Sequence, residues 1–333
     1  MEYLWLVAGF VLLIVGADVF VEGSSAIARL FKIPSIIIGL TIVAFGTSMP
    51  EASVSINAAL AGENSIAVSN AIGSNFFNLL VVLGASALIC PVRTGDVTVK
   101  KEIPLSILIT VVLGFLLCLG ITPAVEAAET SGFFARLSST SFTLGRVGGI
   151  VLLAILVFYV VRQILGALKA RGKDGGDIVE CEGSNLAPGM AVEMVILGMV
   201  GIIMGGNYVV ESAQTIAQNF GMSQTFIGLT VVAFGTSLPE LVTSMVAAKK
   251  GESDLALGNV IGSNIFNIVF ILGFSSVISP MTVNVLTVYD IIVLIGVSAV
   301  VWLFCKSKKR VSRLEGGIML AMYAAYFVYI LLR

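Results

Sequence analysis

Long apolar runs alternate with short polar or charged segments along the whole chain. Each run approaches or exceeds the roughly 20 residues that an α-helix needs to cross the hydrocarbon core of a membrane. The runs are 3–21, 36–61, 65–89, 103–121, 143–166, 190–210, 225–248, 254–279, 288–305 and 315–332. The pattern therefore predicts an all-α membrane protein with ten transmembrane helices, the longest of them tilted or broken.

The composition supports this class and excludes several functions. Of the 333 residues, 57% are hydrophobic and only 12% are charged, whereas soluble domains carry about 25% charged residues. Lys and Arg occupy short segments between the runs, which argues against a nucleic-acid partner. The chain has no histidine, which excludes a Ser–His nucleophile pair and disfavours zinc or haem. We expect a membrane protein without a cofactor, and not an enzyme.

The basic residues predict how the chain is oriented. If the N-terminus lies outside, the inside segments hold every Lys and Arg except Arg136, Arg146 and Arg333. Basic residues concentrate on the cytoplasmic side of membrane proteins. We therefore expect a multi-pass protein of the plasma membrane with both termini outside. The agreement also supports the number of spans, because the loss of one helix would scramble the alternation.

One apolar motif that contains a proline and a glutamate occurs twice in the chain. Residues 39–51 read GLTIVAFGTSMPE and residues 228–240 read GLTVVAFGTSLPE, so 11 of 13 positions are identical. The same offset of 189 (240 minus 51) relates 69–84 to 258–273, where 9 of 16 positions are identical. The two halves of the chain are therefore interpreted as repeats.

The number of spans between the copies predicts that the repeats are inverted. Five predicted spans separate equivalent elements, and because five is odd the second copy crosses the membrane in the opposite direction. Inverted repeats with interrupted helices are typical of secondary transporters. We predict a first five-helix repeat over 1–165, a solvated cytoplasmic linker over 166–188, and a second, inverted five-helix repeat over 189–333.

Each copy of the motif places a carboxylate in mid-span, at Glu51 and at Glu240. A charged side chain at the membrane centre costs at least about 2.5–3.5 kcal/mol, so it is expected to have a function. The adjacent Pro50 and Pro239 remove a backbone donor and open the helix, which frees carbonyl oxygens nearby. Carboxylate and carbonyl oxygens are the ligands of hard cations. The sequence therefore predicts a cation site at the centre of the protein.

Further polar residues surround the two glutamates at helical spacing. Residues four positions apart share a helix face, and such pairs are Thr47 with Glu51, Ser74 with Asn78, Thr236 with Glu240, and Ser263 with Asn267. Pseudo-symmetry would bring these pairs together into an all-oxygen cluster that suits calcium, or several sodium ions in competition with it. One site that cannot hold both loads at once is the physical basis of exchange.

These motifs resemble the two alpha repeats of the sodium/calcium exchangers in the cation/calcium antiporter superfamily. The resemblance is carried by 46–51 and 235–240, which read GTS-x-PE, and by 73–78 and 262–267, which read GSN-x-FN. It implies antiport of sodium against calcium by alternating access, with several sodium ions per calcium ion. It also implies that the first and sixth spans slide as a gate across the remainder of the protein.

The resemblance implies a role for each residue of the motifs. Glu51 and Glu240 would be the central calcium ligands, together with the backbone carbonyls of Thr47 and Thr236. The implied sodium ligands are the Ala44 carbonyl, Thr47, Ser74, the Ala233 carbonyl, Thr236 and Ser263, with Asn78 and Asn267 beside the middle site. Some relatives, including the potassium-dependent exchangers, carry Asp at the position of Asn267, so the resemblance disfavours potassium co-transport here.

Several alternatives stay open at this point. Glu51 and Glu240 are also suited to carry protons, as in a proton-coupled calcium or cation antiporter. An intramembrane hydrolase with two acidic groups and a passive cation channel are the other hypotheses, and inverted repeats favour a carrier over both. The expected partners are calcium, sodium and the lipid bilayer, with no nucleic acid and no obligate protein partner.

Overall fold

The structure is a computed structural model that describes residues 1–122, 140–171, 187–222 and 233–332. Helices dominate this part of the chain. They are α1 (Glu2–Leu30), α2 (Ser35–Thr47), α3 (Met49–Leu60), α4 (Asn64–Ile89), α5 (Thr98–Leu119), α6 (Arg146–Arg171), α7 (Pro188–Asn219), α8 (Ala233–Thr236), α9 (Leu238–Lys249), α10 (Ser253–Ile278), α11 (Val285–Ser307) and α12 (Arg313–Leu332).

Eight of the described helices are long and apolar enough to cross a membrane, and the bent pair of α2 and α3 would make a ninth span. The topology of ten spans stays a prediction, because the predicted span 225–248 lies partly outside the described residues. Its described part forms α8 and α9. Helix α6 continues to Arg171, within the predicted linker 166–188, and residues 172–186 lie outside the described part of the chain.

Short antiparallel strands, which the sequence did not predict, join helix ends from the two halves. They are β1 (Val92–Arg93), β2 (Ile121–Thr122), β3 (Ser141–Leu144), β4 (Met281–Asn284) and β5 (Arg310–Val311). Strand β1 pairs with β5, with Val92 opposite Val311, and β2, β3 and β4 form a sheet in that order, with Phe142 opposite Val283. These ribbons satisfy backbone groups at the helix ends and tie the halves together.

Helices α4 and α10 form the centre of the protein. In the most apolar 18 residues of each helix, 72% are buried in α4 and 94% in α10, against 33% in α1. A helix that is apolar on every side is expected to be enclosed by others or by lipid. The central pair is enclosed by protein, and the outer helices keep apolar faces for the membrane.

Both copies of the repeated motif interrupt a helix. In the first copy, the chain leaves α2 at Thr47, turns at Ser48 and re-enters a helix as α3, which is bent by 50° from α2. In the second copy, the same interruption separates α8 from α9 at Ser237. Proline has no N–H and its ring clashes with the preceding turn, so the predicted opening of the helix at Pro50 is confirmed.

The break in the helix changes the predicted spatial relation between Thr47 and Glu51. Thr47 and Glu51 were expected to share one helix face because they lie four residues apart. Thr47 instead ends α2, whereas Glu51 lies in the first turn of α3. Because the helix axis changes direction between the two residues, they do not lie one turn apart on a single helix face. Their relative position depends on the bend.

Helices α1 and α7 approach each other closely along a seam of glycines. A Cβ atom added at Gly198 would lie 2.5 Å from the backbone nitrogen of Phe20, and one added at Gly16 would lie 2.8 Å from the carbonyl carbon of Gly201. Small residues permit this approach of two backbones within a membrane. The seam makes α1 and α7 a tightly packed pair.

Ion pairs connect the C-terminal half of α1 to the loop between α9 and α10. The Lys250 Nζ lies 2.8 Å from Asp18 Oδ1 and 3.6 Å from Glu22 Oε2. Arg29 pairs with Glu252 at 3.6 Å. Helix α1 therefore extends beyond the apolar run 3–21, and salt bridges hold its C-terminal half to the loop before α10.

The glycine seam yields a prediction about stability. We expect Gly198→Ala to lower the unfolding temperature, because the new methyl group meets backbone atoms of α1; overpacking of this kind typically costs about 1–3 kcal/mol. The matched control is Gly296→Ala in α11, where the added Cβ meets no atom of the described residues within 4 Å. Thermal unfolding of the purified protein in detergent measures both, and equal unfolding temperatures for the two variants would contradict the seam.

Candidate functional site

The two glutamates of the repeated motif lie at equivalent places in the structure. Glu51 is in the first turn of α3, Glu240 is in the first turn of α9, and both side chains are fully buried. The first turn of a helix carries unpaired N–H groups and the positive end of the helix dipole, which stabilise a negative group. The helix breaks thus create two N-termini inside the protein that favour buried carboxylates.

The serines at the breaks bind the glutamates of the opposite halves. Ser48 Oγ donates to Glu240 Oε1 at 2.8 Å, and Ser237 Oγ donates to Glu51 Oε1 at 2.7 Å. Ser237 Oγ also lies 3.1 Å from Ser74 Oγ on α4. Each carboxylate is therefore held by a hydroxyl group from the other copy of the motif.

The second oxygen atom of each carboxylate is not hydrogen-bonded within the described part of the chain. Glu51 Oε2 and Glu240 Oε2 are buried, and neither has a hydrogen-bond partner among the described residues. The two negative charges also repel each other. Buried acceptors without partners are costly, and buried charges need compensation, so the arrangement suits a positively charged ligand between the two halves.

Hydroxyl and carbonyl groups from the two halves meet beside the carboxylates. Thr47 Oγ1 lies 3.1 Å from the Val43 carbonyl oxygen and 2.9 Å from Asn259 Oδ1 on α10. Ser263 Oγ donates to the Ala44 carbonyl oxygen at 3.5 Å. The predicted first-half ligands Ala44 and Thr47 therefore contact the central helix of the second half.

The remaining predicted ligands are also in or near this buried region. Asn78 on α4 and Asn267 on α10 are both fully buried, and the Asn78 amide has no partner at either end within the described part of the chain. Thr236 is buried at the end of α8. Ala233 is the first residue of α8.

Asparagines that the sequence analysis left without a role support the glutamate helices. Asn70 Nδ2 donates to the Glu51 carbonyl oxygen at 3.2 Å, and Asn259 Nδ2 donates to the Glu240 carbonyl oxygen at 3.4 Å. Each of these amides also bonds a serine one turn further along the glutamate helix. The second half thus reproduces the contacts of the first half.

The repeat itself could have identified the residues that were missed. They are Ser48 and Ser237, Asn70 and Asn259, and Asn75 and Asn264, each pair being identical at the offset of 189. A polar residue retained at both copies within an apolar helix needs a partner in each. The pairing of the partners across the two halves, however, could not be read from the spacing.

Comparisons with known proteins agree with the fold. The family model for the sodium/calcium exchanger protein matches residues 1–165 and 190–332, which is nearly the whole chain. The chain belongs to the sodium/calcium exchanger family. The resemblance predicted from the four motifs is therefore confirmed, and this exchanger-family protein is an integral membrane cation/calcium antiporter and not an enzyme.

Similar proteins cover the chain almost end to end. The putative antiporter CaxA of Alkalimonas amylolytica is 38% identical over 97% of this chain and 96% of its own. The sodium/calcium exchanger MaX1 of Methanosarcina acetivorans is 31% identical over 98% and 97%. A structure of the sodium-calcium exchanger NCX_Mj superposes with a TM-score of 0.80 and 30% identity, covering 98% of this chain and 97% of that one.

The buried carboxylates predict opposite effects of one substitution with and without calcium. Glu51→Gln removes one of two like charges, so we expect the ion-free protein to unfold at a higher temperature. The same change removes a candidate calcium ligand, so added calcium should no longer stabilise the protein, whereas a bound ligand at 100 times its Kd stabilises by about 2.7 kcal/mol. Thermal unfolding with and without calcium chloride measures both effects.

The control for this experiment is Glu63→Gln, which makes the same chemical change in the exposed loop before α4. It should keep the calcium-dependent rise in unfolding temperature of the unmodified protein. Equal stabilisation of Glu51→Gln and Glu63→Gln by calcium would contradict a cation site at the glutamates.

Proposed function

We propose that this protein exchanges sodium for calcium across the plasma membrane by alternating access, with several sodium ions per calcium ion. The observation that carries the proposal is the pair of buried carboxylates, Glu51 and Glu240. Each carboxylate is bonded to a serine of the other half through one oxygen atom, and its other oxygen atom has no hydrogen-bond partner among the described residues. Two carboxylates neutralise one divalent cation, and the uncommitted oxygens are available to it.

The donor set favours a hard cation. Calcium takes six to eight oxygen ligands in flexible geometry, whereas magnesium demands a tight octahedron and keeps its water. The proposed calcium ligands are the two carboxylates with the backbone carbonyls of Thr47 and Thr236. The buried site lacks the imidazole and thiolate groups that soft metals prefer, since the chain has no histidine and the described cysteines are not among the residues placed at the site.

Sodium would use an overlapping set of oxygen atoms. We assign to it the carbonyls of Ala44 and Ala233 and the hydroxyl groups of Thr47, Thr236, Ser74 and Ser263, with Asn78 and Asn267 beside the middle position. Ser74 Oγ lies 3.1 Å from the serine that binds Glu51, and Ser263 bonds the Ala44 carbonyl. Because both ions depend on the same groups, the site holds one load at a time.

Alternating access would follow from the repeated architecture. The two halves make equivalent contacts around Glu51 and Glu240, and inverted repeats allow such halves to exchange conformations. In this proposal ten spans form two inverted repeats, with both termini outside. Helices α1 and α7 would move together as the gate, since their backbones are packed along one glycine seam. The similar proteins MaX1 and NCX_Mj are named as sodium–calcium exchangers, which supports sodium and calcium as the two transported ions.

Proton-coupled calcium antiport is the second candidate. No salt bridge joins Glu51 or Glu240 to a basic side chain in the described part of the chain. A buried carboxylate without a cationic partner takes up a proton readily. Protons would then replace sodium as the counter-load at the same two groups.

Vesicle transport distinguishes these functions. We expect proteoliposomes loaded with sodium to take up calcium, and matched vesicles loaded with potassium or choline at the same pH to remain at background. Glu51→Gln should reduce uptake to background, because a central ligand is lost, whereas Glu63→Gln should leave it unchanged. Isotopic calcium uptake over time measures each condition.

Two other outcomes would redirect the assignment. Uptake that follows an imposed pH gradient and ignores internal sodium would establish the proton-coupled antiporter. Equal uptake into every vesicle, with no counter-ion required, would indicate a passive channel and would remove the sodium roles given to Ser74 and Ser263.

A further inference from the structure

We propose that Asn75 is a positioning residue that orients the side-chain amide of Asn267, so that Asn267 presents its oxygen Oδ1 to the cation site. Asn75 lies on α4 and Asn267 on α10, the two central helices. The proposal rests on the proposed function, since it assigns a purpose to an oxygen atom of that site. It adds a residue that acts on the cation through another side chain.

The amide of Asn75 has one possible orientation. Its Nδ2 donates to the backbone carbonyl oxygen of Asn264 at 3.3 Å. A carbonyl oxygen only accepts hydrogen bonds, so the NH₂ end of the Asn75 amide has to face it. The other end, Asn75 Oδ1, is consequently directed away from Asn264 and acts as an acceptor.

The orientation of Asn75 then determines that of Asn267. Asn267 Nδ2 donates to Asn75 Oδ1 at 3.0 Å. With the ends of the Asn267 amide exchanged, two oxygen atoms would face each other without a hydrogen atom between them. The orientation of the Asn267 amide is therefore decided by a chain of hydrogen bonds that begins at a main-chain carbonyl oxygen.

The result is an oxygen atom available for a cation. Asn267 is fully buried, and its Oδ1 has no hydrogen-bond partner among the described residues. An amide oxygen is a suitable ligand for calcium or sodium, whereas an amide NH₂ group facing the site would repel either ion. In this proposal, Asn75 keeps the oxygen end of the Asn267 amide, rather than its NH₂ end, available to the cation.

The repeat partners of these residues lack the same connection. Asn264 Nδ2 donates to the backbone carbonyl oxygen of Asn75 at 3.4 Å, which mirrors the first bond. Asn264 Oδ1 is unbonded, however, and so are both ends of the Asn78 amide, within the part of the chain that the structure describes. The amide of Asn267 is therefore oriented before an ion arrives, and that of Asn78 is not.

This asymmetry supplies a matched pair of variants. Asn75→Leu and Asn264→Leu each remove one bond from an amide to a backbone carbonyl between α4 and α10, but only the first releases Asn267. We expect Asn75→Leu to weaken calcium binding by about 10- to 100-fold, the usual effect of removing a group that orients a ligand. Asn264→Leu should change the affinity little. Calcium titrations of the full-length protein in detergent measure both dissociation constants.

A double-mutant cycle separates positioning from general destabilisation. In an Asn267→Ala background, Asn75→Leu should have no further effect on calcium affinity, because the amide that it orients is absent. The cycle is also measured without ions, as unfolding temperatures, where Asn75 and Asn267 should couple and Asn264 and Asn78 should not. If Asn75→Leu does not fold, Asn75→Ser serves in its place, since serine is too short to hold both bonds.

Each outcome decides the proposal. Equal losses of affinity for Asn75→Leu and Asn264→Leu, or additive losses for Asn75→Leu and Asn267→Ala, would overturn the positioning role while leaving the exchanger function intact. Coupling between Asn75 and Asn267 in ion-free protein, with no effect on calcium, would overturn it as well. An unmodified protein that binds no calcium would instead overturn the proposed function and, with it, the purpose of Asn267 Oδ1.

Discussion

The burial of two carboxylates in one place is the constraint on which the rest of the structure depends. Charges removed from water are costly, and two like charges are costlier. The protein meets this cost by breaking two helices so that Glu51 and Glu240 each lie in a first turn. Crossed bonds from Ser48 and Ser237 then satisfy one oxygen atom of each carboxylate. The other oxygen atom of each carboxylate has no hydrogen-bond partner among the described residues, an arrangement that suits a cation.

The crossed bonds also make the two halves interdependent. Each glutamate accepts a hydrogen bond from the serine at the helix break of the other copy of the motif. The symmetry is incomplete outside this centre. Lys250 pairs with Asp18 and Glu22 in the C-terminal half of α1, whereas the residue at the equivalent position of the first half is Ala61. The repeats therefore share the crossed hydrogen bonds at the centre but differ in the contacts that surround them.

Local patterns predicted much of the fold and most of the candidate site. Apolar runs mark helices because a membrane span has to be apolar and self-bonded, and Pro50 marks the break because proline cannot continue a helix. The strand pairs were not predicted, because strands of two to four residues are too short to show an alternation of apolar and polar residues. The prediction that Thr47 and Glu51 share one helix face was wrong, because residues four positions apart lie on the same face only along an unbroken helix.

The sequence by itself determined the apolar helices, the repeat and the polar residue types at its centre, since these depend on composition, spacing and identity. Only the tertiary structure decided which atoms meet. Ser48 and Glu240 are 192 residues apart in the chain, and no local pattern encodes a bond between them. The direction of the Asn267 amide depends in the same way on Asn75 from another helix. Such bonds arise from packing, because hydrogen bonds require distances and angles that only the assembled helices provide.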